Sequence, residues 1–140
     1  MLQENPNFAP LDWEKLAWEQ TPYQGVFLHK VEEELDPDNS AVPKYTIMAL
    51  KLNSLANIPP HRHNRESGWT ETIVLPHGGQ FDILDSNGSK KILTRLLFSV
   101  VIHVGEVFGI RNTKISGPLY FYSIMRPGFT GYQEIEEVKN

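Results

Sequence analysis

Cysteine is absent from the 140 residues, which excludes disulfides and thiolate zinc sites, so any bound metal must be held by nitrogen and oxygen donors. Clustered positive charge is nearly absent too. The formal net charge is -4 and only Lys90-Lys91 sets two basic residues side by side, which argues against a nucleic-acid surface. No apolar run is long enough to span a bilayer, and the polar, acidic start Met1-Leu2-Gln3-Glu4-Asn5 does not read as a signal peptide. Cytoplasmic residence, with no membrane partner, is the expectation. Internal repeats and low-complexity segments are also lacking. A chain of this length forms one domain, residues 1–140, large enough to bury a core without staples.

What is present reads mostly as strands. β-Branched and aromatic residues are frequent in Gly25–Val31, Tyr45–Leu52, Trp69–Leu75, Gln80–Leu84, Ile92–Val101 and Leu119–Met125, as expected of half-buried pleated segments. Asp85-Ser86-Asn87-Gly88-Ser89 is a hairpin turn, because Asn-Gly tolerates positive φ. Leu35-Asp36-Pro37-Asp38-Asn39-Ser40 punctuates the chain a second time. Asp12 is placed to cap a short amphipathic helix, Trp13–Gln20, ended by Thr21-Pro22. The tail from Glu134 reads as a frayed end. The pattern predicts an all-β fold, a sandwich or barrel of jelly-roll type with a short N-terminal helical segment.

Chemistry concentrates in Pro59-Pro60-His61-Arg62-His63. In a strand, alternate residues share a face, so His61 and His63 present both imidazoles to one side while Arg62 points away. An H-x-H pair alone is compatible with plain surface alternation. Here Glu71 follows within the run Trp69–Leu75, where it can add a carboxylate oxygen, and His103 lies in the apolar stretch Leu96–Ile110, where it can supply a third imidazole. Glu66 competes with Glu71 but sits beside Gly68, in the loop before the strand. His29 adjoins the acidic run Glu32-Glu33-Glu34, which reads as a solvated edge, and His77 adjoins the Gly78-Gly79 turn; both are weaker candidates. Imidazole suits zinc, iron, copper and nickel, so the expected cofactor is one divalent transition metal, Fe(II) or Zn(II) foremost.

The segment Ile58–Gly79 resembles the first motif of the cupin superfamily, G-x5-H-x-H-x3-4-E-x6-G. Leu55 stands at the place of the first glycine, and seven residues separate His63 from Glu71. The second motif, G-x5-P-x-G-x2-H-x3-N, lies over Val104–Asn112 only if Phe108 takes the position of the last metal histidine. A registration with His103 as last ligand is similar to the subgroup containing ChrR-type anti-sigma domains and acetylacetone-cleaving dioxygenases. The resemblance covers about residues 22–127. It implies a cupin jelly-roll barrel, a metal held by His61, His63 and His103, and Glu71 as fourth ligand or as an acceptor that orients an imidazole. It also implies a homodimer, which Trp13 and Trp18 are placed to join. If the ion is Fe(II), a chelating small molecule such as a β-dicarbonyl would bind at open coordination positions and react with oxygen. The alternative is a zinc-binding, non-catalytic sensor or small-molecule-binding module in which three histidines and Glu71 close a four-coordinate site.

Overall fold

A computed structural model describes residues 11–138, so the first ten residues, the polar start Met1–Asn5 among them, and the last two of the tail lie outside the described residues. The chain folds into two antiparallel sheets with one apolar core between them. Strands β1 (Glu19–Gln20), β2 (Val26–Asp36), β3 (Asn39–Leu52), β5 (Thr70–Leu75), β8 (Phe98–His103) and β10 (Leu119–Arg126) make one sheet, in the order β1-β2-β3-β10-β5-β8. Strands β4 (Asn57–His63), β6 (Gly79–Asp85), β7 (Gly88–Thr94), β9 (Phe108–Asn112) and β11 (Ile135–Glu137) make the other, ordered β11-β4-β9-β6-β7. No helix among the described residues is long and apolar enough to cross a membrane.

Alternation along β10 separates two apolar layers. Phe121, Ser123 and Met125 face between the sheets, while Tyr122 and Ile124 join Ile47 and Val74 on the outer face, packed against Leu11 and Trp13. This outer layer explains why the N-terminal helix does not form. Only Trp13–Lys15 makes a 3-10 turn, and Glu19–Gln20 pairs with Phe27 and Leu28 as a strand. An isolated stretch of eight residues is too short to hold a helix by propensity. As an extended strap it stacks Trp13 on Tyr120 at 5.1 Å and Trp18 on the same ring at 6.0 Å, and the Trp18 indole N–H donates to the Trp13 carbonyl at 2.8 Å. Both tryptophans therefore pack on their own chain.

Two other segments differ from the sequence expectation. Ile92–Val101 is not one strand: β7 ends at Thr94, the chain turns, and β8 starts at Phe98 in the opposite sheet. The tail is not frayed at its start, because Glu134 is buried and Ile135–Glu137 pairs with His61–His63 of β4. The turn at Asp85–Ser89 is as expected, with the Asn87 N–H donating to the Asp85 carboxylate at 2.7 Å.

Strand β4 carries the feature that positions the site. Ile58 pairs with Ile110 and His61 with Phe108, so three steps along β4 oppose two along β9. The extra residue is a bulge at Pro59-Pro60, where the missing N–H groups make regular pairing impossible. The bulge shifts the phase of the alternation, so Ile58, His61 and His63 all face inward and are buried. Gly109 lets β9 pass beside it, since a Cβ there would lie 2.7 Å from the Ile58 carbonyl oxygen.

Candidate metal centre

Three donors meet inside the sandwich. His61 and His63 project from β4, Glu71 projects from β5 in the facing sheet, and one ligand atom from each lies within 4.8 Å of the others. All three are buried.

Each donor is aimed by a hydrogen bond at its far side. The Nδ1–H of His61 donates to the Pro59 carbonyl at 2.8 Å, an acceptor that the bulge places two residues back. The Nδ1–H of His63 donates to Glu134 Oε2 at 2.5 Å. Those bonds put the proton of each ring on Nδ1 and leave an Nε2 lone pair toward the cluster, the tautomer a metal ligand needs. The Ser123 hydroxyl donates to Glu71 Oε2 at 2.6 Å, and Glu71 Oε1 remains 3.6 Å from His63 Nε2, too far for a hydrogen bond. The Trp69 ring stacks on His63 with centroids 4.6 Å apart and fixes the plane of the imidazole.

Glu134, which the sequence places only at the start of a frayed tail, is the best-satisfied carboxylate here. Its Oε1 accepts from the Thr130 backbone at 2.9 Å, the Thr130 hydroxyl at 2.8 Å and Arg65 Nη1 at 3.2 Å. Burial pushes its carboxyl up, but the hydrogen bonds from His63 and Thr130 outweigh that and hold it below the ordinary range. Burial lowers the His61 imidazole from its ordinary value, against the opposing pull of Glu71 and Pro59. No local motif announces Glu134 or Ser123, because both lie far along the chain from the ligands they orient.

The residues fit a cation. His63 Nε2 is buried with no hydrogen-bond partner, and leaving such an atom unsatisfied costs about 1–3 kcal/mol. A divalent ion among the three donors would remove that cost and neutralise the buried Glu71. Two imidazoles and one carboxylate suit zinc or non-haem iron; the donor set does not choose between them.

His103 is not brought to this group. It ends β8 opposite Thr70, while its neighbour Ile102 stands opposite Glu71 and is buried. Period-two alternation therefore turns His103 to the outer face, where it is exposed, and its backbone N–H donates to Glu106 at 2.6 Å. The residue beside His61 across the sheet is Phe108, buried against the same space. The registration that sets Phe108 at the last ligand position is thus the one the strands follow. Glu66 lies at the surface paired with Arg65, His77 is exposed, and His29 bonds the Ala17 carbonyl at 3.1 Å.

The donors line a narrow cavity between the sheets, about 60 Å³ in volume, with walls that include Phe108, Phe121, Phe129 and Met125. An apolar lining with a few convergent polar donors is the pattern of a small-molecule site, and the volume admits only a small ligand.

No protein-family model matches the chain and no curated protein matches it in sequence. Solved structures do match in shape. The polyketide cyclase RemF from Streptomyces resistomycificus superposes with a TM-score of 0.63 at 13% identity, over 94% of this chain and 86% of that one. A conserved protein with a double-stranded β-helix domain from Klebsiella pneumoniae gives 0.63 at 15% identity, over 95% and 98%. The cupin domain of an XRE family transcriptional regulator from Enterobacter cloacae gives 0.50 at 16%, over 74% and 97%. These likenesses establish the fold as that of the cupin, or double-stranded β-helix, proteins.

Proposed function

We propose that this chain is a metal-dependent enzyme that binds a small chelating substrate at an ion held by His61, His63 and Glu71, and that its reaction is an oxidation of the dioxygenase type. The fold alone does not choose a reaction, since its structural neighbours include a polyketide cyclase and a domain of a transcriptional regulator. The observation that carries the reading is the size of the donor set. Among the described residues, three protein donors face a cavity with Phe108, not a fourth ligand, beside His61. A structural site would be closed by a fourth donor, whereas three donors leave positions for exogenous ligands.

When bound, an ion such as Fe(II) would supply Lewis acidity toward the substrate and redox chemistry with dioxygen. The chain supplies the rest. Pro59 and Glu134 hold the two imidazoles in the ligating tautomer, Ser123 orients Glu71, and the apolar walls keep bulk water from the reacting atoms. Oxidation of a β-dicarbonyl or similar compound is the activity that the dioxygenase resemblance implies. Anaerobic reconstitution with Fe(II), followed by oxygen-uptake measurements on a β-dicarbonyl panel, tests it. Substrate-dependent uptake that disappears in His63→Ala is expected; tightly held zinc with no uptake after iron loading would overturn the enzymatic reading in favour of a binding module.

A further inference from the structure

The charge of the substrate follows from which polar groups around the cavity are already used; the argument rests on the metal-binding reading of His61, His63 and Glu71. We infer that the cavity takes a substrate uncharged except at the oxygen atoms it offers to the metal, with a flat apolar body. It does not take an oxo acid with a second carboxylate or a phosphate ester.

Among the described residues, no lysine or arginine lines the cavity. The two arginines nearest the donors in sequence are committed elsewhere. Arg62 points away from the site between His61 and His63 and pairs with Glu136 at 3.1 Å. Arg65 is buried behind the site, where it bonds Glu134 at 3.2 Å, the Gly128 carbonyl at 2.8 Å and Glu66 at 3.2 Å. Moving Arg65 would strip the buried Glu134 and the Gly128 carbonyl of a partner, and Arg62 lies on the opposite face of β4 against the exposed Glu136, so neither faces an anion in the cavity.

The neutral donors are mostly spent as well. The Thr21 hydroxyl donates to the Val26 carbonyl at 2.7 Å and the Ser123 hydroxyl to Glu71. Tyr23 and Tyr132 add phenol groups to the lining, and Tyr132, 38% exposed, marks the outer end. Burial pushes both phenols up from their ordinary value, and the carboxylates of Glu137 near Tyr23 and Glu19 near Tyr132 add to it. A second anionic group on the substrate would be desolvated against aromatic walls with no counter-charge, and repelled at the mouth. A flat, neutral body instead meets Phe108, Phe121 and Phe129.

A matched pair of chelators separates the cases. Maltol carries a neutral hydroxypyranone head, and comenic acid carries the same chelating head with a carboxylate. Protein loaded with Co(II) is titrated with each, following the visible bands of the ion and the tryptophan fluorescence. Maltol binding at least about tenfold tighter than comenate is expected, and Tyr132→Arg should close that gap by strengthening comenate alone. Comenate binding as tightly as maltol, or failure of both to perturb bound Co(II), would overturn the inference while leaving the metal site intact. Failure of the protein to bind Co(II) would instead overturn the metal reading on which it rests.

Discussion

His63 is constrained on three sides: Glu134 holds Nδ1, Trp69 covers the ring, and Nε2 faces Glu71 without a hydrogen bond. A carboxylate behind a ligating histidine raises its basicity and fixes its direction, so its removal weakens a metal without removing a ligand. Glu134→Gln is therefore expected to lower Zn(II) or Co(II) affinity by about 10–100-fold, with the fold retained by circular dichroism. Isothermal titration checks this, and unchanged affinity would mean that Glu134 serves packing alone. His61 and His63 were legible because a strand repeats every two residues, a wholly local rule. Glu71 was legible from the strand run around it. Glu134 and Ser123 were not, since their roles exist only after β10 and the tail have packed. The direction of His103 was not legible for a related reason: its strand was identifiable, but which face it presents depends on pairing with β5.

At the scale of elements, the entry to β4 shows how this chain departs from the motif it resembles. Leu55 occupies the first glycine position and adopts φ 63°, the left-handed region where side chains are strained. It is 59% exposed, so little burial offsets the strain. Leu55→Gly is expected to stabilise the protein by about 1 kcal/mol, read as a shift in the urea midpoint at unchanged m-value; destabilisation would show that the Leu55 side chain makes contacts worth more than the backbone strain. The missing glycine was visible in the sequence, yet its consequence was not, because a motif mismatch does not say whether the backbone changes or the residue bends to it. The N-terminal segment carries the opposite lesson. Its apolar residues suggested one face of a helix, but the bare outer face of the sheet offers Tyr120 and Tyr122 as partners, and an extended strap reaches them. Likewise the tail reads as frayed because β11 is an edge strand whose Glu136 and Glu137 do face water.

Over the whole molecule, two sheets close on a cavity whose floor carries every donor of the proposed site. The all-β class and most strands followed from alternation and turn residues. The sheet to which each strand belongs did not, as the switch between β7 and β8 shows. The central claim is that His61, His63 and Glu71 together hold the metal and His103 takes no part. It is tested most directly by elemental analysis of chelator-free protein, comparing the wild-type chain with His63→Ala and His103→Ala. About one divalent ion per chain in the wild type and in His103→Ala, with most of it lost from His63→Ala, is the result this account predicts. Loss of metal from His103→Ala with retention in His63→Ala would contradict it.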